Sequence, residues 1–327
     1  MATIKGIKGI KVQSLTSDPT ASEAAGQLWY NTTSSALKYS IAGAGAWASA
    51  PAVNTGRRSM ASTGTVTAAV IAGGIGGTTA TETYNGSSWT TSPATLNTGR
   101  QYLKGDGSST AAIVFGGVGP GAAYDLTETF NGSAWTETND LNTARQKMGN
   151  STLGSTTASL CFGGSAADPA PTKDDETEKW NGTSWSEDAN LNTARQGIGG
   201  AGTSTAALSI GGNPPESNQV ESWNGTSWTE LTPNLNTARS EFGSAGSQTS
   251  AIIWGGNPNS PGLLVEQWDG TAWTEVADTA QKHAGGGSAG VNNGSAYAIS
   301  GYDGSGNITS TEQWSDPVYT IKTVTLS

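Results

Sequence analysis

The chain has 327 residues, a formal net charge of -10, 34% apolar residues, 46 glycines, 12 tryptophans and one cysteine. An acidic chain without clustered Lys and Arg is a poor match for a phosphate backbone, which argues against nucleic acid as a partner. The lone Cys161 rules out an intrachain disulfide, no 18-residue apolar run offers a membrane span, and residues 1–12 lack the apolar stretch of a signal peptide.

Residues 1–45 differ in character from the rest. Ile4-Lys5-Gly6-Ile7-Lys8-Gly9-Ile10-Lys11-Val12 repeats at period three, which fits neither an amphipathic helix nor an ordinary strand. The segment is basic on an acidic protein, and it suits either a homo-oligomer such as a trimer or pairing with a partner's sheet. Gly26 to Thr33, followed by Ala36 to Tyr39, reads as a β-hairpin. The whole stretch is predicted to be an extended anchoring segment.

From residue 46 onward one block recurs. Glu-x-aromatic-Asn-Gly-x-x-Trp runs from Glu82 to Trp89, Glu128 to Trp135, Glu178 to Trp185, Glu221 to Trp228 and Glu266 to Trp273, with Asp269 for Asn in the last and a truncated copy at Glu312 to Trp314. The first four are each followed by an Asn-Thr-x-Arg connection and an apolar run. The runs end at Gly73, Gly116, Gly163, Gly211, Gly255 and Ser300, in steps of 43, 47, 48, 44 and 45 residues. That is the length of a four-stranded propeller blade. Within a repeat, the Arg opens an inner strand, the apolar run is the second, the Glu-x-aromatic is the third and the Trp begins the outer one. Asn-Gly makes the turn between the last two.

The prediction is therefore an all-β, six-bladed β-propeller over residues 46–317. The sixth repeat departs from the pattern: Gln281 or Lys282 stands for the Arg, Ser300 replaces a Gly and the second Trp is missing. Trp47 precedes Asn54-Thr55-Gly56-Arg57 with no Gly-Gly strand of its own. It is expected to complete the last sheet and leave no open edge. The alternating run Val318 to Val324, in the C-terminal strand 318–327, is the competing candidate.

The order of these features resembles the kelch repeat, in which Gly-Gly ends the second strand, an aromatic sits in the third, a Trp follows and an Arg opens the next first strand. The resemblance covers residues 54–314 and implies aromatic-Trp pairs at Tyr84 and Trp89, Phe130 and Trp135, Trp180 and Trp185, Trp223 and Trp228, and Trp268 and Trp273. These Trp, with Trp47, are structural. The opening segment, with Gly26-Gln27-Leu28-Trp29-Tyr30-Asn31-Thr32, is similar to segments of bacteriophage tail-fibre and other virion proteins. That resemblance implies a non-enzymatic virion fibre component, bound to other virion proteins through residues 1–45 and displaying its loops to a host-surface glycan or protein.

Enzymatic chemistry finds little support. His283 is the single histidine, so neither the copper site of a kelch-type oxidase nor a Ser-His-Asp triad can be built in one chain. No catalytic residue, metal site or cofactor is expected. Sialidase-like propellers gather several Arg near the axis, where the repeat would also put Arg57, Arg100, Arg145, Arg195 and Arg239. Each opens its repeat identically, which favours pairing with the repeat Glu or capping of loop carbonyls, with ligand binding as the alternative. The loops after each Gly-Gly vary in length and carry Tyr124, Asp168, Glu216 and Asn259 as further ligand-binding candidates on the same face. A lectin, a cellular protein-interaction scaffold and, less favoured, a sialidase-like hydrolase are the alternatives.

Overall fold

The apolar runs that end in Gly-Gly are the second strands of a repeated antiparallel sheet, buried on both faces. The computed structural model describes residues 12–20, 26–166, 173–213, 215–256, 262–316 and 319–324, and every regular element in them is a strand. Two compact units emerge, one from Met1–Ala46 with Asp316–Ser327 and one from Trp47–Ser315.

The larger unit is a propeller. Among the described residues it holds six four-stranded sheets whose inner strands are Ala61–Thr65, Lys104–Ser108, Gly149–Asn150, Gly199–Thr203, Gly243–Ser247 and Gly287–Asn292. These touch one another in cyclic order, and Gly287–Asn292 meets Ala61–Thr65 to close the ring. In the sixth sheet the order is Gly287–Asn292, Ser295–Tyr302, Asn307–Ser315, Ala46–Ala50, so the strand carrying Trp47 takes the outer place. Tyr319–Thr323 pairs with Ala36–Ala42 in the smaller unit, beside Leu28–Asn31 and Gln13–Leu15. There Asp18 accepts from Trp29 Nε1 at 3.0 Å, Asn31 Nδ2 at 2.6 Å and Lys38 Nζ at 2.6 Å.

Burial in the propeller is organised between sheets. Six apolar clusters each join two neighbouring sheets, as when Val70 and Ala72 of the first pack with Leu103, Val114 and Trp135 of the second. Cys161 belongs to the next cluster, where burial pushes its thiol up to about 12 and leaves it a core residue. The aromatic-Trp pairs recur with ring centroids 4.9–5.5 Å apart, and Trp47 against Trp314, at 5.7 Å, supplies the sixth.

A second tie crosses three of the interfaces. Trp135, Trp185 and Trp228 donate Nε1–H to the hydroxyls of Thr81, Thr127 and Thr177 in the preceding sheet, at 2.9–3.0 Å. Each of these threonines directly precedes a repeat Glu. Where the preceding residue is Val220 or Val265, the corresponding indoles of Trp273 and Trp47 have no acceptor among the described residues. At the seam Trp89 finds Tyr297 Oη at 3.2 Å instead.

The turn between third and outer strands differs from the two-residue hairpin turn expected of Asn-Gly. Tyr84 pairs with Trp89, which leaves four residues in the loop, and Asn85 Oδ1 accepts the N–H groups of Ser87 and Ser88 at 3.0 and 2.9 Å. The Asn side chain, more than its tolerance of positive φ, explains the repeat of this residue.

Replacing Val220 by Thr gives the Trp273 indole the acceptor its sister residues have. We expect Val220→Thr to stabilise the propeller by about 1 kcal/mol, or a few degrees in Tm at most, in thermal and denaturant unfolding. A destabilised Val220→Thr would show that the indole-hydroxyl tie is not the reason Thr recurs there.

Candidate functional site at the axial mouth

The Asn-Thr-x-Arg connections fold over a buried carboxylate. In the first sheet, Glu82 Oε2 accepts from the backbone N–H of Asn54 at 2.7 Å and from its Nδ2 at 3.0 Å, while Oε1 accepts from Thr55 N–H at 3.2 Å and from Arg57. Arg100 with Glu128, Arg145 with Glu178, Arg195 with Glu221 and Arg239 with Glu266 repeat the pair. The guanidiniums also cap carbonyls, such as Ala80 O from Arg57 at 2.9 Å and Gly211 O from Arg195 at 2.8 Å. All five Arg are at most 3% exposed. They are consumed by the fold in five separate sheets, and so they leave the set of ligand contacts to which the sequence admitted them.

In the sixth repeat the Arg position is filled by His283, not by Gln281 or Lys282. Its Nε2 lies 3.0 Å from Glu312 Oε1 and its Nδ1 lies 2.7 Å from Ser300 O, and the ring is fully buried. Burial pushes the Glu312 carboxyl up, but the hydrogen bonds from His283 and from the N–H groups of Ala280 and Gln281 outweigh it and hold the group below its ordinary 4.5.

The Arg also does not open the inner strand. The residue two places later turns left-handed first, and this creates the axial mouth. Ser59, Tyr102, Lys147 and Glu241 have φ of 54–58°, and Gly197 and Gly285 have φ of 62° and 60° at the equivalent positions. Each donates its N–H to the carbonyl of the one before: Tyr102 to Ser59 (2.6 Å), Lys147 to Tyr102 (3.1 Å), Gly197 to Lys147 (2.8 Å), Glu241 to Gly197 (2.9 Å), Gly285 to Glu241 (2.9 Å) and Ser59 to Gly285 (2.6 Å). The six bonds close a ring around the axis. A second link runs from Gly74, Gly117, Gly164, Gly212 and Gly301 to the carbonyl of the next Arg around the ring, for example Gly117 N to Arg145 O at 2.8 Å. A Cβ on its neighbour Gly116, itself at a φ of 61°, would meet the backbone oxygen of Arg145 at 2.6 Å, so Gly suits this approach.

Four non-glycine residues held left-handed cost about 1–2 kcal/mol each, and such outliers gather where function needs them. Here they present Tyr102, Lys147 and Glu241 to the mouth. Lys147 Nζ lies 3.2 Å from Glu241 and 4.6 Å from the centre of the Tyr102 ring. Arg58 lies 4.3 Å over the Tyr302 ring, and a cavity of about 250 Å³ is lined by Arg58, Ser59, Tyr102, Glu241, Gly285 and Tyr302. Two aromatic faces, three hydroxyls, a guanidinium and a carboxylate around such a space suit a small polar ligand.

The loop candidates are dispersed. Glu216 is exposed and accepts from Ser240 Oγ at 3.2 Å, which puts it beside the mouth, next to Glu241. Tyr124 folds its ring over Gly119 of its own loop and is half-buried. Asp168 and Asn259 lie outside the described residues. Sequence reasoning missed Arg58, Tyr102, Lys147, Glu241 and Tyr302. The signal was there: the second position after each Arg varies from Gly to Tyr within a near-constant block. Among the described residues no three His, Cys, Asp or Glu side chains assemble as a metal-ligand set, and no helix is long and apolar enough to cross a membrane.

No protein-family model matches the sequence, and no curated protein is similar to it. Among solved structures, that of YjhT superposes with a TM-score of 0.64 at 14% identity, covering 84% of this chain and 99% of YjhT. At that identity the likeness speaks for the all-β propeller fold and nothing further.

Two outcomes follow for the carboxylates. Glu128→Gln leaves Arg100 buried without its counter-charge and is expected to cost about 3–5 kcal/mol in denaturant unfolding, whereas a loss under about 1 kcal/mol would mean that the pair is dispensable. Because the folded Glu312 carboxyl titrates below 4.5, its contribution is present above the unfolded value and fades as pH falls through the folded one. Hydrogen exchange between about pH 6 and pH 3 should show Glu312–Trp314 losing protection in the wild type, with a weaker pH dependence in Glu312→Gln. Equal pH dependence in both proteins would remove Glu312 as the cause.

Proposed function

We propose that the protein is a non-enzymatic recognition module that captures a small polar ligand, of the size and chemistry of a glycan unit, at the axial mouth of its propeller. The single observation that supports this best is the ring of left-handed residues that keeps Tyr102, Lys147 and Glu241 at the mouth despite the strain. Glycine occupies two of the six places and would be unstrained at the others, so function is the reason for keeping larger residues. Among the described residues Glu241 is the single carboxylate lining the mouth cavity, whereas glycoside hydrolysis generally uses a pair.

The finer setting is also a proposal. The Arg, Gly-Gly and Trp pattern supports a kelch-type repeat, and the opening Gly-x-Leu-Trp-Tyr-Asn-Thr segment supports a phage-like virion fibre that presents the propeller to a host surface. Electron microscopy of virions tests that setting, which fails if the chain is found in no particle.

Glycan-array binding, followed by calorimetry on the best ligand, tests the mouth. Relief of left-handed strain, about 1–2 kcal/mol, offsets the greater flexibility of glycine, about 0.5–1 kcal/mol. Tyr102→Gly should therefore unfold within about 1 kcal/mol of the wild type while losing at least about tenfold in affinity. Undiminished binding by that variant, or no glycan bound by the wild type, would overturn the proposal.

A further inference from the structure

Below the mouth the bore is a blind well. The inner strand of the third sheet stops at Asn150, where its sisters run on for several residues. The chain then crosses the axis: Leu153 N–H donates to Gly202 O of the fourth sheet at 2.9 Å, and Thr152 Oγ1 to Gly246 O of the fifth at 3.2 Å. Asp106 anchors this crossing by accepting from Asn150 Nδ2 at 2.8 Å, Ser151 Oγ at 2.7 Å and Ser159 Oγ. The floor is therefore fixed, and Asp106 is occupied in fixing it.

Lys104 reaches deepest into the well. Lys104 lines the cavity on both sides of the constriction below the mouth, with volumes of about 50 Å³ above and 30 Å³ beneath. At the same place in the other inner strands stand Ala61, Gly149, Gly199, Gly243 and Gly287, so this ammonium has no counterpart around the ring. It is half-buried, and no hydrogen bond or ion pair to its Nζ exists among the described residues. Burial pulls its titration below 10.5, while Glu241 and Asp106 oppose that shift. Among the described residues Arg58, Lys104 and Lys147 line these cavities with Glu241 as the one lining carboxylate and Asp106 buried beneath, on a chain of net charge -10. A cationic well in an acidic protein focuses anions.

We infer that the well seats a small oxyanion, a carboxylate or a phosphate or sulfate group, on the Lys104 ammonium, with the body of the same ligand held at the mouth. Size supports the division. At about 10–15 Å³ per water, the two lower cavities hold a few waters, enough for an oxyanion and too little for a sugar ring, whereas the mouth has room for the ring. Serines 62, 244 and 288 line the lower cavity and offer hydroxyls to the anion's remaining oxygens. This inference rests on the mouth as the ligand site and names the ligand class it takes.

Inorganic phosphate, sulfate and acetate are the probes, each against chloride at equal ionic strength, so the outcome does not depend on any glycan being bound. In the wild type, a saturating probe should slow acetylation of Lys104 several-fold, read by peptide mass spectrometry, and leave exposed lysines unchanged. Calorimetric binding of that probe should weaken at least about tenfold in Lys104→Met, as expected for a lost charge-assisted hydrogen bond. The comparison between phosphate, sulfate and acetate identifies the anion. Acetylation of Lys104 unaffected by all three probes would overturn the inference, with no variant required. Glycans bound by the wild type but unaffected by Lys104→Met would leave the mouth standing and remove only the anion.

Discussion

The buried carboxylate on each third strand is the constraint on which the other features depend. A charge taken out of water costs several kcal/mol unless its oxygens are filled, and here both are: one by an asparagine backbone and side chain, the other by arginine and, in several sheets, by the intervening threonine N–H. To reach it, the connection from the preceding outer strand must fold over the top of the new sheet. That path fixes where the Arg carbonyl lies, and the Gly-Gly pair of the preceding sheet docks on that carbonyl. It also fixes where the residue two places after the Arg turns left-handed. The axial ring of backbone hydrogen bonds follows from a repeated electrostatic demand well away from the axis.

The seam between sixth and first sheets meets the same demands with different groups. His283 stands in for arginine, and Ser300 takes the left-handed conformation that Gly holds elsewhere. Its hydroxyl offsets the strain, accepting from Arg57 N–H at 2.8 Å and donating its one proton to Ile308 O at 2.6 Å or Arg57 O at 2.7 Å. Tyr297 bridges Trp89 and Thr311, replacing the direct indole-hydroxyl tie. A ring closed without covalent continuity thus carries more side-chain hydrogen bonding at its seam than the regular repeats need. The outer strand with Trp47 adds apolar contact with Trp254 and Trp314.

Rigidity and strain are divided between body and mouth. The sheets and their clusters are repetitive, whereas the second place after each Arg varies and turns left-handed at the axial mouth. A stiff frame can hold four non-glycine residues in a costly conformation, because ring hydrogen bonds and flanking sheets over-determine it. The same frame holds the groups around the mouth in place in advance.

The sequence by itself determined the repeat, the all-β propeller, the pairing of aromatic with Trp and the weakness of the sixth copy, because each is carried by local spacing: strand period, turn residues and a block recurring every 43–48 residues. It also admitted the right structural role for the arginines, since identical residues in identical places rarely make an asymmetric site. It missed the substitution of His283 for arginine, because Lys282 and Gln281 matched by charge or polarity while only the fold shows which side chain faces Glu312. It missed the mouth for a deeper reason. Arg58, Tyr102, Lys147, Glu241 and Tyr302 lie in different repeats, and nothing in linear order reveals that a left-handed residue in each connection turns toward one axis. Lys104 above the crossing at Ser151–Gly154 likewise reads as one polar residue in a strand. Only closing the ring brings residues from separate sheets to a common centre and makes a site of them.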